Sequence, residues 1–388
     1  MIRNIGQIVS GDLARPLLDG DSILAADGKI VAVGRGLDDD ADTVIDARGS
    51  TVVPGLIDSH CHPVFGDFTP RQRTMDFIES GLNGGITSMI SAGEVHLPGR
   101  PKDIVGLKAL AILASKAYAN LRPAGVKMHA GAPILELGMV EEDFAELARA
   151  GVRLVGEIGL GSVRTGTDAA PMVKWAKKHG MTVTIHTGGP SIAGSSAITS
   201  DVVLEADPDV VGHINGGTTS MSEREIDALV ATRMALEIVH CGNGKAALHT
   251  LRRAQEARAT DRLVIGLDAP SGTGVVPLGI IRVLAHLVSL GGVAPEDAVC
   301  MATGNTARVY KLSAGVIAPG RDADLCIVDA PIGSVGRTAL EALQVGDLFG
   351  ISMILIDGQV KIGRSRNTPP ATRAAEVVRG HGPAAGGH

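Results

Sequence analysis

Between residues 56 and 268, short apolar segments alternate eight times with longer stretches of helical periodicity. The strand candidates are 56–62, 86–92, 126–132, 154–158, 182–187, 210–215, 235–241 and 263–268. Helix candidates include 102–120, 141–150, 169–179, 222–231, 245–258 and 278–290. Alternation of this kind predicts βα units and a parallel sheet. Eight units close most simply into a barrel. An open doubly wound sheet is the competing arrangement, but no G-x-G-x-x-G turn follows the first strand candidate. The expected fold class is α/β, a TIM-like (β/α)8 barrel.

The two ends of the chain read differently. Ser22-Ile23-Leu24-Ala25 and Lys29-Ile30-Val31-Ala32-Val33 flank Asp27-Gly28, and the stretches 351–356 and 359–362 flank Asp357-Gly358. Asp-Gly between apolar runs is a hairpin signal. A small β-sandwich domain is therefore expected from 1–54 plus 314–365, with the barrel domain, 55–313, inserted between its halves. Residues 366–388 read as a Pro-, Ala- and Gly-rich C-terminal extension. Its end, 380–388, is expected to be disordered, with His381 and His388 as bystanders.

Composition narrows the function. A hydrophobic share of 45% over 388 residues supports a large core. A net charge of −6 without a basic stripe argues against nucleic-acid binding. Aromatic residues at 2% leave little for base-stacking or sugar platforms. Cys61, Cys241, Cys300 and Cys326 show no CxxC spacing and read as reduced thiols. The start of the chain lacks signal-peptide character, and no apolar run reaches the roughly 20 residues of a membrane span. A soluble, cytoplasmic protein without a membrane partner is expected.

Chemistry concentrates at the strand ends, where the active sites of such barrels lie. The first strand candidate ends in Asp58-Ser59-His60-Cys61-His62. Residues two apart on a strand share a face, so His60 and His62 point together while Cys61 turns aside. Two imidazoles so placed suit a divalent metal; two incidental histidines near a turn are the alternative. Strand four adds Glu157, strand five His186, strand six His213 and strand eight Asp268. A single strand-end histidine is commonly a hydrogen-bonded structural residue. Glu157 and Asp268 are harder to explain that way, because a carboxylate in an apolar run needs a compensating charge. Together the six suit two divalent ions with one carboxylate bridging.

Two segments carry a family resemblance. The run from Pro54 through Leu56-Ile57-Asp58 to His62 resembles the opening strand of the amidohydrolase superfamily, and 315–325 resembles its return into the small β domain. Closer still, 98–103, 186–189, 213–217, 268–274 and 365–370 are similar to the enamidase branch of that superfamily. The resemblance implies that His60, His62 and Asp268 hold one metal, that His186 and His213 hold the other, and that Glu157 bridges them. In many relatives a carbamylated lysine is the bridge. The implied cofactors are two divalent ions, zinc with iron as an option at one position.

It also implies hydrolysis of a cyclic amide carrying a carboxylate, 6-oxo-1,4,5,6-tetrahydronicotinate, to 2-formylglutarate and ammonia, by a homotetramer. Asp268 would move the proton between the attacking water and the leaving nitrogen. Candidate substrate contacts are Arg100, His129, His240, Ser271 and Thr273. Ser271-Gly272-Thr273-Gly274 could offer N–H groups to an anion or be a plain loop. Arg100 could pair with a carboxylate or be a solvated surface residue. His129 could face the mouth or be structural. His240, preceding Cys241, departs from the branch's pattern and leaves the substrate ring open; Cys61, between the two histidines, departs from it too but is expected to have little effect on the metals. The alternatives are another cyclic-amide hydrolase, a deaminase, or a metal-binding scaffold without activity.

Overall fold

The computed structural model describes residues 1–38, 40–63, 71–93, 97, 99–190, 196–216, 219–270, 274–380 and 382, with 71–76 described by backbone alone. Eight parallel strands lie where the alternation predicts them. They are β1 (Leu56–Cys61), β2 (Ile86–Ser91), β3 (Lys127–His129), β4 (Leu154–Ile158), β5 (Thr182–Ile185), β6 (Val210–Val211), β7 (Ala235–Val239) and β8 (Leu263–Gly266). Ladders join β1 to β2 and β2 to β3, and then β4 through β8 in sequence. Main-chain bonds from Asp268 N to His60 O (2.9 Å) and from His62 N to Ala269 O (3.0 Å) close β8 onto β1. The barrel class is as expected.

The circuit has one seam. Among the described residues no ladder joins β3 to β4. Instead Gly156 N and Glu157 N bond to Pro133 O and Ala92 O, both at 3.0 Å. That approach needs glycine, because a Cβ at 156 would lie 2.7 Å from Ala92 O.

Several strands are shorter than the apolar runs suggested, and β6 keeps only two residues. The chain leaves the ladder just before its chemistry. His213 and Asp268 take left-handed backbone angles (φ 29° and 57°), which turn the chain instead of extending it. Ile57, Leu154, Val210 and Ala235, at or near their strand starts, pack with Ile90, Ala307 and Tyr310 in a separate apolar cluster. Outside, helices such as Ile104–Asn120, Glu223–Val230 and Gly244–Glu256 are capped by Asp103, Ser222 and Asn243. Such caps contribute about 1 kcal/mol each. No helix among the described residues is long and apolar enough to cross a membrane.

Both termini build a pair of sheets, of five and six strands. In the hairpins Ser22–Ala26/Lys29–Gly34 and Gly350–Ile356/Gln359–Ile362, both turn residues have positive φ: 51° and 77° at Asp27-Gly28, 50° and 73° at Asp357-Gly358. This is the type I′ geometry that Asp-Gly favours. One boundary differs from expectation. Glu376–Arg379 pairs antiparallel with Val44–Asp46, so the sandwich reaches beyond residue 365 into the supposed extension. A four-residue edge strand after a Pro-rich stretch is too short for periodicity to reveal. The disorder expected for 380–388 falls almost wholly outside the described residues.

Lys127, at the start of β3, ties the barrel to the sandwich. Its Nζ lies 2.9 Å from Asp322, 2.7 Å from Asp324 and 2.8 Å from Asp357. The Asp324 side chain is fully buried. Removing one partner of such a group leaves an uncompensated charge. Lys127→Met is therefore expected to destabilise the protein by roughly 3 kcal/mol, read as a lower midpoint in chemical denaturation; an unchanged midpoint would refute the role.

Candidate metal centre

Strand β1 delivers two histidines to the mouth of the barrel, with ring centroids 5.1 Å apart. Cys61 turns away, its Sγ 3.2 Å from Ile90 O. Glu157, from β4, stands between the imidazoles. Its Oε1 lies 2.7 Å from His213 Nε2, 3.4 Å from His60 Nε2 and 3.9 Å from His186 Nδ1. Its Oε2 lies 3.5 Å from His62 Nε2. Asp268 Oδ1 lies 3.3 Å from His62 Nε2 and 3.8 Å from His60 Nε2. Five of the six side chains are buried, whereas 25% of the Asp268 side chain is exposed. Asp268 thus offers an open edge to an incoming molecule.

The outward nitrogens explain how the rings are held. His60 Nδ1 faces Glu237 Oε2 at 2.6 Å, His62 Nδ1 faces Gly93 O at 3.1 Å, and His186 Nε2 faces Gly189 O at 3.0 Å. A carboxylate or carbonyl oxygen only accepts, so each of these nitrogens carries the proton. In the neutral ring the opposite nitrogen then turns a lone pair toward the carboxylates. His60 Nε2 is buried with no hydrogen-bond partner among the described residues. Lone pairs meeting carboxylates in a buried space need a cation between them. Among the described residues the ion-pair partners of Glu157, Asp268 and Glu237 are all histidines, so without an added cation only protonation of those rings offsets the carboxylates.

The titration behaviour agrees. Burial alone would raise the Glu157 carboxyl, but His60 and His213 hold it well below the usual carboxylate range. Asp268 is also held low against its burial, by His62, His60 and His213. Burial pushes the His60 imidazole down, yet Glu237 and Glu157 overcome it and hold the ring above its ordinary value. The cluster draws positive charge. Imidazole and carboxylate donors suit divalent transition metals, and two groups could hold such ions: His60, His62 and Asp268, and His60, Glu157 and His213. His186 adjoins the second group, its Nδ1 3.0 Å from His213 Nε2.

The candidate substrate contacts fare differently. Arg100 reaches Glu136 Oε1 at 3.3 Å. Counting alternately from the inward Glu237 turns Val239 inward and His240 outward. There His240 packs on the start of the helix Gly279–Ser289, near enough that a Cβ at Gly279 would meet its ring at 3.0 Å. His129 lines a separate cavity that none of the six residues touches. Ser271 and Thr273 fall outside the described residues.

Sequence reasoning missed Glu237. It is fully buried on β7 and accepts from Ser59 Oγ (2.6 Å), His60 Nδ1 and His213 N (3.1 Å), orienting two candidate ligands at once. The signal was present: a lone acid in the run Ala235-Leu236-Glu237-Ile238-Val239 is the same pattern that singled out Glu157.

Residues 51–361 match the model of the Amidohydrolase family. The chain is 56% identical to an enamidase from Eubacterium barkeri, over 97% of this chain and 99% of that protein. A solved structure of enamidase at 1.9 Å resolution has a TM-score of 0.94 to it, with 56% identity, covering 97% of this chain and 99% of that one. An adenine deaminase from Mesorhizobium japonicum is 28% identical over 83% of the chain, which spans about half (51%) of that protein.

Partners behind a metal-binding histidine typically control affinity by about 10- to 100-fold. Glu237→Gln is expected to lower metal affinity by about that much, measured by elemental analysis after dialysis against graded chelator. Unaltered retention would show that the carboxylate does not support the site.

Proposed function

This chain belongs to the amidohydrolase family, and on that premise we propose that it is an enamidase, opening the lactam of 6-oxo-1,4,5,6-tetrahydronicotinate. The observation that carries the reading is Glu157 set among four imidazoles and Asp268, within a chain so like enamidase along nearly all its length. His60, His62 and Asp268 would hold one ion and His186 and His213 the other, with Glu157 shared. The ions would be zinc, with iron an option at one position. When bound, they lower the pKa of a shared water and polarise the carbonyl oxygen of the amide.

The chain's own residues do the rest. Asp268, held ionised by its histidine neighbours and exposed at the mouth, takes a proton from the attacking water and returns it to the ring nitrogen as the C–N bond breaks. Glu237 holds His60 in one tautomer throughout. Ring opening leaves a carboxylate and an enamine. The enamine's imine tautomer adds water and loses ammonia, giving the aldehyde of 2-formylglutarate. That second stage asks little of the protein. The same likeness suggests a cytoplasmic homotetramer, which sedimentation would test.

Turnover of 6-oxo-1,4,5,6-tetrahydronicotinate by protein of known metal content, read as ammonia release, should far exceed ammonia release from adenine and the ring opening of hydantoins read by loss of the ring; a preference for another ring would overturn the substrate assignment. Asp268→Asn should reduce turnover by about a thousandfold while part of the metal remains, and near-normal turnover would remove its proton-transfer role. Because Glu157 stands where many relatives use a carbamylated lysine, reconstitution of metal-free protein should regain full activity without added bicarbonate. A bicarbonate requirement would count against the glutamate bridge.

A further inference from the structure

The seam between β3 and β4 opens onto a cavity of about 720 Å³ at the end of the barrel away from the metal centre. Its wall carries Ile90 and Leu154 as apolar surface, with Thr182, Tyr310 and His129 as polar groups. Its charges are uneven. Lys127 and Arg122 also line it, but both are engaged by the sandwich carboxylates Asp322, Asp324 and Asp357. Lys29 joins that set through Asp322, which leaves three cations against three carboxylates. Arg153 and Lys311 remain. Among the described residues neither forms an ion pair; Arg153 donates to Ala148 O (2.8 Å) and Val152 O (3.1 Å), and Lys311 to Gly180 O (3.4 Å).

Arg153 and Lys311 are both exposed residues of the cavity lining. Lys311 Nζ reaches Gly180 O just before β5, and the Arg153 main chain runs beside the same strand, its O accepting from Thr182 N at 2.9 Å. Both line the cavity without a carboxylate partner among the described residues, so an anion entering it meets positive charge. The His129 side chain also lines the cavity, with no side-chain hydrogen bond among the described residues. Burial, with Lys127 nearby, pushes its imidazole down to about 4, so at neutral pH it offers one N–H and one lone pair.

We propose that this cavity is a second ligand site, taking a small organic anion whose carboxylate or phosphate head sits between Arg153 and Lys311 and whose body reaches His129. The apolar lining and the neutral imidazole fit a carbon skeleton with one further hydrogen-bonding group, and the seam supplies the room.

The test is calorimetric titration of the metal-loaded protein with glutarate and, separately, inorganic phosphate. Saturable binding of either that depends on Arg153 and Lys311 supports the site, and the better binder identifies the head group. The double variant Arg153→Ala/Lys311→Ala should weaken that binding by about tenfold or more, with kcat/KM on the cyclic amide and the melting temperature unchanged. His129→Phe should weaken glutarate binding while leaving the melting temperature at or above the wild-type value. Binding that persists undiminished in the double variant would place the anion elsewhere, at the metals for instance, and overturn the proposal. Failure of both probes to bind at millimolar concentration would overturn it as well.

Discussion

Asp58 fastens the last barrel strand to the first. Its Oδ1 accepts from Leu267 N at 2.8 Å and from His60 N at 3.1 Å, across the junction where the barrel closes. Hydrogen bonds to a charged acceptor are worth roughly 1.5–3 kcal/mol each, though full burial raises the Asp58 carboxyl to about 7. The closure sets the chemistry. It carries Asp268 past the end of β8 to within 3.3 Å of His62, from residues more than two hundred positions apart in the chain. Without that junction His60 and His62 would face an open sheet edge.

Around it lies a division of labour among carboxylates. Glu157 and Asp268 face inward and supply negative charge, while Glu237 lies behind His60 and spends its charge on orientation. Three acids among four imidazoles form a buried unit whose arrangement makes sense with cations at its centre. The main chain contributes as well, through Gly93 O and Gly189 O. Ring orientation here depends on loops as much as on strands.

Much of this was legible in the sequence. The period of the apolar runs located every barrel strand, and Asp27-Gly28 and Asp357-Gly358 announced their turns, because both signals are local. The six central residues were legible because charged or imidazole groups inside apolar runs need a partner, whatever the fold. Glu237 met the same criterion and was passed over only because it sits mid-strand rather than at an end. Orientation was less readable. Strand β1 carries register shifts on both sides of Asp58, so simple alternation does not govern its inward face. His240 could have been placed outward only by first knowing that Glu237 points in. The seam was invisible because it arises from Gly156 approaching Ala92 and Pro133, contacts that no local pattern encodes.

The inserted arrangement has a consequence for biogenesis. Val44–Asp46 pairs on one side with Ile2–Arg3, which precedes the barrel in the chain, and on the other with Glu376–Arg379, which follows it. A ribosome must therefore produce the whole barrel before that sheet can gain its final strand. A nascent or prematurely terminated chain would present an unpaired strand edge, the kind of surface that recruits other chains. Closure of that sheet therefore waits on the barrel, so folding of the sandwich is coupled to folding of the domain inserted within it.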